Sequence, residues 1–92
     1  MITRDCVIRN RLGLHARAAA KFVNAATRFA ARIQVSHGGR TMDGKSIMGI
    51  LLLAAASGAT VVIAADGPDE REAVEELCRL VEGGFGEEPW NA

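Results

Sequence analysis

The sequence predicts an α+β fold, an open-faced β-sandwich of order βαββαβα in which three helices cover one face of a four-stranded, mainly antiparallel sheet. Strand and helix patterns alternate along 92 residues, a length that suits one domain. In the middle of the chain, His37-Gly38-Gly39 separates two strand-like segments and indicates a hairpin, which requires antiparallel pairing. We therefore expect a single domain over residues 1–92, with a frayed tail at residues 87–92.

The first half of the chain contains a strand, a helix and the hairpin. Apolar residues at even spacing over residues 2–8 predict a first strand, which ends at residues 10–13. Residues 16–30 carry apolar side chains at helical spacing and predict an amphipathic first helix. These side chains are Ala19, Phe22, Val23, Ala26 and Phe29. The hairpin pairs residues 32–36 with residues 40–43.

The second half begins with a short helix that follows Ser46 and stops near Ser57-Gly58. Residues 59–65 form an almost continuous apolar segment, which predicts a buried strand. The last helix opens near Asp69 and ends at the glycine-rich residues 83–86. Its buried face is predicted to consist of Val74, Leu77, Cys78 and Val81.

Composition excludes several classes of protein. Eleven basic and eleven acidic residues cancel, so there is no electrostatic case for nucleic-acid binding. The longest apolar run, residues 47–56, is half the length that membrane insertion requires. The first five residues lack the apolar region of a secretory signal, so we expect a cytoplasmic protein. Cys6 and Cys78 lie far apart and outside any CxxC pattern, which predicts two buried thiols and neither a disulfide nor a metal site.

Residues 13–17 read Gly-Leu-His-Ala-Arg and place a histidine where the alanine-rich first helix begins. Helix starts usually carry Ser, Thr, Asp or Asn as a cap, and none lies within residues 12–16. The first N–H groups and the positive end of the helix dipole are then left for an anion. His15 and Arg17 beside such a site indicate a phosphoryl group carried on the imidazole, since free imidazole is largely unprotonated at neutral pH.

The chain resembles the histidine-containing phosphocarriers of the bacterial phosphotransferase system, HPr and its nitrogen-branch relative. The resemblance covers residues 2–85 and rests on residues 13–17, on Lys-Ser-Ile-Met-Gly at 45–49, and on the strand at 58–65 followed by Gly67. One residue departs from the family pattern: Ala18 stands where the family usually has proline. Alanine suits a first helical turn as well as proline does, so the change bears on the subfamily rather than on the chemistry of the site.

The resemblance implies a phosphoryl carrier with no cofactor, which is a substrate of its partners rather than an enzyme. His15 is expected to accept the group, at Nδ1, from phosphorylated enzyme I and to pass it to a histidine of an enzyme IIA domain. The guanidinium of Arg17 and the backbone N–H groups of Ala16 and Arg17 are expected to hold the phosphoryl oxygens. We expect a monomer. The pathway served, sugar transport or nitrogen regulation, is left open.

Ser46 and the residues after it form a second candidate site. Serine at this position predicts an N-cap for the short helix. The resemblance adds regulatory phosphorylation of Ser46 by an HPr kinase/phosphorylase. Ile47, Met48 and Leu51 have the spacing of ordinary core residues, yet in the family fold they lie beside His15, so we expect some of them to form an exposed docking patch.

Two other functions compete with this interpretation. Residues 39–46 read Gly-Arg-Thr-Met-Asp-Gly-Lys-Ser, which matches the nucleotide-binding pattern GxxxxGK[ST]. However, Arg-Thr-Met-Asp suits a strand better than a phosphate-binding loop, and the chain is too short for the parallel sheet of such enzymes. A purely regulatory interaction domain is the other alternative, and the presence of His15 argues against it.

Overall fold

A computed structural model describes residues 1–87 of the chain. Over these residues one sheet has the strand order β1-β4-β2-β3, and each neighbouring pair is antiparallel. Its strands are β1 (Ile2–Val7), β2 (Arg32–His37), β3 (Arg40–Asp43) and β4 (Thr60–Asp66). The helices are α1 (Ala16–Ala26), α2 (Ile47–Leu53) and α3 (Glu70–Glu82), and a 3-10 turn, Gly84–Gly86, follows α3. The predicted fold class and element order are confirmed.

One face of the sheet carries the core. Along β4, Val61, Ile63 and Ala65 are buried, whereas Val62 and Ala64 between them are partly exposed. The buried face packs against the helices, whose core residues include the aromatic and branched side chains of α1 and the predicted apolar face of α3. This arrangement places the N-terminus of α1 at one end of the sandwich, next to the loops that enter β4 and leave α3.

Two helices end earlier than their apolar patterns predict. Helix α1 stops at Ala26, not at residue 30, because the following turn is tightened by hydrogen bonds from Arg28 to Ala25 (3.2 Å) and from Phe29 to Ala26 (3.1 Å). Helix α2 stops at Leu53, well before Ser57-Gly58. The reason is that Ala54 adopts a left-handed conformation (φ 51°), which reverses the chain.

Asp69 precedes α3 but makes no side-chain bond to that helix. Its carboxylate instead accepts hydrogen bonds from the backbone N–H groups of Ala30 (2.9 Å) and Ala31 (2.8 Å). These are the residues that leave α1 and enter β2. Asp69 therefore fixes the connection between α1 and the sheet.

The prediction of two separate thiols is wrong, because Cys6 and Cys78 form a disulfide. Both side chains are buried, as expected. Strand β1 lies against α3, which brings the two Cα atoms to 5.9 Å, a separation that a disulfide can bridge. The two cysteines are 72 residues apart in sequence, so only the packing of the two elements reveals that they meet.

No helix within residues 1–87 combines the length and the hydropathy that crossing a membrane requires. The longest helix in this part of the chain, α3, has 13 residues, whereas a span needs about 20. In the same part of the chain, no three His, Cys, Asp or Glu side chains come together as a metal-binding group.

Candidate functional site

His15 lies at the N-terminus of α1, between the loop that leaves β1 and the loop that leaves α2. These loops are joined by a hydrogen bond from the N–H of Leu14 to the carbonyl of Ala55 (3.0 Å). Gly13 makes this approach possible: its φ is +68°, and a Cβ atom there would lie 2.6 Å from the Ala55 oxygen. The glycine of the motif therefore sets the backbone that presents the histidine.

His15 is itself the N-cap of α1. Its backbone is extended, and its Nδ1 accepts a hydrogen bond from the N–H of Arg17 at 3.3 Å. The expectation that no side chain from residues 12–16 caps the helix is wrong, because imidazole offers an acceptor at the position where serine or aspartate usually does. This bond also shows that Nδ1 faces the first turn of the helix.

The other ring nitrogen of His15 contacts Glu87. The distance from Nε2 to Glu87 Oε2 is 2.6 Å, and the two side chains are 26% and 18% exposed. Sequence reasoning missed this partner, since it placed Glu87 at the start of a frayed tail. At Glu87 the structure differs from that expectation, and residues 88–92 lie outside the described residues.

Asn10 donates a hydrogen bond to the same carboxylate. It is fully buried, and its Nδ2 donates to the carbonyl of Gly13 (2.7 Å) and to Glu87 Oε1 (3.1 Å). Burial raises the pKa of the Glu87 carboxyl, but the hydrogen bonds from Asn10 and His15 and the charges of His15 and Lys21 outweigh it and lower the pKa below its ordinary value. Glu87 is therefore an anion at neutral pH.

Arg17 is exposed on the first turn of α1. Within residues 1–87 its guanidinium makes no hydrogen bond or ion pair. The backbone N–H of Ala16 lies in the same first turn, where no acceptor exists within the helix. Arg17 and Ala16 thus supply donors next to Nδ1 of His15 that an anion can use.

Ser46 is the N-cap of α2, as predicted: its Oγ accepts a hydrogen bond from the N–H of Gly49 at 3.1 Å. Of the three predicted docking residues, Ile47 and Met48 are 44% and 67% exposed, whereas Leu51 is partly buried against the core. Exposure of large apolar side chains was not predicted for Leu12 (66%) and Leu52 (50%).

The structure does not favour a nucleotide-binding loop at residues 39–46. Residues Arg40–Asp43 form strand β3 and pair with β2, so their backbone does not encircle an anion. The amino group of Lys45 donates to the carbonyl of Phe29 at 2.7 Å and is partly buried there. The lysine of such a loop has to reach the phosphates of the nucleotide.

A small sandwich that places a histidine and an exposed arginine at a helix N-terminus suits a protein that carries an anionic group on that histidine. A family profile described as "PTS HPr component phosphorylation site" matches residues 2–83. The phosphocarrier protein HPr of Cupriavidus necator is 49% identical over 87 residues, which are 95% of this chain and 98% of that protein. The HPr of Neisseria meningitidis serogroup A is 44% identical over the same length and covers the same shares. The crystal structure of HPr-C-His from Thermoanaerobacter tengcongensis matches with a TM-score of 0.91 and 43% identity, over 96% of this chain and 99% of that one.

The chain belongs to the HPr family, the phosphocarrier proteins of the phosphotransferase system. The resemblance inferred from residues 13–17 and 45–49 is thereby confirmed, and so is the function of a phosphocarrier.

Proposed function

We propose that His15 carries the phosphoryl group and that Nδ1 is the nitrogen that bonds phosphorus. This assignment rests on the observation that the two ring nitrogens have different hydrogen-bond partners. Nε2 contacts Glu87 at 2.6 Å, whereas Nδ1 faces the first turn of α1, where it accepts a single bond from residues 1–87, the 3.3 Å bond from the N–H of Arg17. An anion on Nδ1 meets the positive end of the helix dipole.

Arg17 and Ala16 stabilise the phosphoryl group once it is attached. The lone pair of Nδ1 forms the new P–N bond and no longer accepts the N–H of Arg17. That N–H and the N–H of Ala16 then donate to phosphoryl oxygens, and the exposed guanidinium of Arg17 neutralises their charge. These donors already lie in the first turn of α1, so little reorganisation accompanies the transfer.

The carrier exchanges the group with two partners, phosphorylated enzyme I as donor and a histidine of an enzyme IIA domain as acceptor. It is their substrate and turns over no reaction alone. We define the apolar patch as the exposed apolar side chains of α2, which are Ile47, Met48 and Leu52, with the partly buried Leu51 at its edge. Exposed apolar side chains of this size are typical of protein docking surfaces. The carrier acts as a cytoplasmic monomer, because a dimer that covered the patch would block its partners.

Ser46 is a site of regulation by an HPr kinase/phosphorylase. It lies directly before Ile47 and Met48, so a phosphate on its Oγ places about −1.5 to −2 charges at the edge of the apolar patch. The N-terminus of α2 tolerates that charge, while a partner that buries the patch does not.

The function is tested with phosphoenolpyruvate, a matching enzyme I and the purified protein. Intact-mass spectrometry should show one added phosphoryl group, labile to acid and stable to alkali, as expected for a phosphoramidate. His15→Ala should abolish it, whereas His37→Ala, which removes the chain's other histidine, should leave it intact. Acid-labile phosphate on the His15→Ala variant would contradict the assignment of His15 as the carrier.

A further inference from the structure

Residues 84–87 form a turn that follows α3 and packs against the rest of the domain. Phe85 is buried at 1% exposure although its backbone is left-handed (φ 57°). Its carbonyl accepts a hydrogen bond from the amino group of Lys21 at 2.7 Å. The N–H of Glu87 closes the turn on the carbonyl of Gly84 at 2.9 Å. The turn delivers one side chain to the site, that of Glu87.

The carboxylate of Glu87 is held at both oxygens. Oε1 accepts from the buried Nδ2 of Asn10 at 3.1 Å, and Oε2 lies 2.6 Å from Nε2 of His15. The orientation of the Asn10 amide follows from its neighbours, since both the carbonyl of Gly13 and the carboxylate of Glu87 can only accept. An ionised carboxylate in this position requires a hydrogen on Nε2, which leaves Nδ1 with its lone pair.

We infer that Glu87 is a positioning residue for His15: it holds the imidazole in the Nε2–H tautomer and stabilises the positive ring that forms when Nδ1 bonds phosphorus. This inference rests on the proposed function. A histidine that is oriented and polarised by a carboxylate on its second nitrogen is a recurring arrangement in catalytic and metal sites.

The transfer step balances without any proton leaving the ring. The Nδ1 lone pair attacks the phosphorus of the phosphorylated donor, and the donor's bond to phosphorus breaks with its electron pair returning to the donor. The ring of His15 keeps its hydrogen on Nε2 and becomes an imidazolium that carries the phosphoryl group. Glu87 then pairs with a full positive charge, so its bond to Nε2 is stronger after the transfer than before it.

The variant Glu87→Gln tests this role because it keeps the shape and removes the charge. Asn10 is a fixed donor, so the amide oxygen of the glutamine turns to Asn10 and its NH₂ group points to Nε2 of His15. An NH₂ group there requires an acceptor, which favours the Nδ1–H tautomer and removes the lone pair that attacks phosphorus. Glu87→Ala removes the partner and leaves a mixture of tautomers. Glu75→Gln, on the exposed side of α3, is the matched control.

The first measurement is the ¹⁵N NMR spectrum of the neutral His15 ring, which reports the tautomer directly and needs no phosphotransfer. We expect the Nε2–H form in the wild type and in Glu75→Gln, and a shift toward Nδ1–H in Glu87→Gln. The second is the rate of phosphoryl transfer from enzyme I, where we expect kcat/KM to fall about ten- to hundredfold in Glu87→Gln through kcat, with KM unchanged.

An unchanged ring spectrum in both Glu87 variants, or wild-type kcat in Glu87→Gln, would overturn the role of Glu87 while leaving His15 as the carrier. A wild-type protein that took up no phosphoryl group on His15 would instead contradict the proposed function, even if the tautomer shift were observed. Circular dichroism of each variant shows whether the fold is retained.

Discussion

At the scale of single residues, the site depends on how the two nitrogens of one histidine are engaged. His15 caps its own helix through Nδ1 and contacts a carboxylate through Nε2. Gly13 sets the backbone, because any Cβ at that position would collide with Ala55. The guanidinium of Arg17 makes no bond within the described residues, so its charge is available to an anion at the N-terminus of α1.

Arg17→Ala should therefore slow transfer without weakening the fold. Loss of a charge-assisted contact to the phosphoryl group costs about 1.5–3 kcal/mol, which corresponds to about a ten- to hundredfold fall in kcat/KM. The melting temperature should stay close to that of the wild type, since the exposed guanidinium has no partner to lose among residues 1–87. Steady-state transfer assays and thermal denaturation measure both quantities. Arg28→Ala, exposed beyond the other end of α1, is the control, and a large loss of stability with normal transfer in Arg17→Ala would make Arg17 structural.

At the scale of elements, the N-termini of α1 and α2 have different roles. The N-terminus of α1 is capped by His15, the proposed carrier of the phosphoryl group, and the N-terminus of α2 is capped by Ser46 in the ordinary way. Helix α2 also carries the exposed apolar patch. We therefore expect a charge at Ser46 to act on docking, and loss of its hydroxyl to act on the stability of the helix.

The variants Ser46→Asp and Ser46→Ala separate these two effects. Ser46→Asp should raise the KM for transfer from enzyme I about ten- to hundredfold, which corresponds to about 1–3 kcal/mol for crowding a charge against an apolar partner surface, with an unchanged circular dichroism spectrum. Ser46→Ala should transfer normally and lose about 1 kcal/mol of unfolding free energy. Thr3→Asp adds the same charge on the exposed side of β1 and should leave KM unchanged. If Ser46→Asp transferred at the wild-type rate or unfolded the domain, Ser46 would be only a cap.

Asp69 accepts hydrogen bonds from the segment that joins α1 to β2, and the stabilisation that these bonds provide should depend on pH. The hydrogen bond from Ala30, joined by that from Ala31 and by the charge of Lys45, outweighs desolvation and lowers the pKa of Asp69 below its ordinary value of 3.8. A lowered pKa in the folded state means that the stabilisation is complete above pH 3.8 and is lost as the pH falls below it.

Asp69→Asn should therefore be less stable than the wild type at pH 7, because its amide accepts only one of the two N–H bonds well. The difference in unfolding free energy between the two proteins should be constant at higher pH and should shrink as the pH falls from about 4 to about 2. Urea denaturation across this range provides the measurement. A difference that stays constant with pH would show that the carboxylate charge contributes nothing. Glu70 and Glu87, whose pKa values are also lowered, are present in both proteins and cancel in the comparison.

At the scale of the whole molecule, the fold class and the order of the elements could be predicted from the sequence. Strand and helix periodicity predicted, in order, the seven strands and helices that residues 1–87 contain, and residues 13–17 predicted His15 and Arg17 as site residues, which the structure places together at the N-terminus of α1. These signals lie within a few residues of each other. Helix ends were misplaced at residues 26 and 53 because turn hydrogen bonds and a left-handed Ala54, not hydrophobic pattern, end the helices there.

Contacts between distant segments were not predictable in this way. Cys6 meets Cys78 across β1 and α3, and Glu87 meets His15 from a separation of 72 residues. Neither pair has a local signature, since each depends on how completed elements pack. The glycine-rich residues 83–86 predicted the end of the last helix, with a frayed tail after them. In the structure, however, Phe85 among them is buried in the core.

NMR can determine directly which nitrogen of His15 bonds phosphorus. The protein, labelled with ¹⁵N in its histidine rings and phosphorylated by enzyme I, is examined by ³¹P and ¹⁵N NMR under alkaline conditions. We expect a single ³¹P signal coupled to Nδ1 of His15, with Nε2 free of phosphorus. Coupling to Nε2, or a phosphoryl group on any other residue, would contradict this expectation.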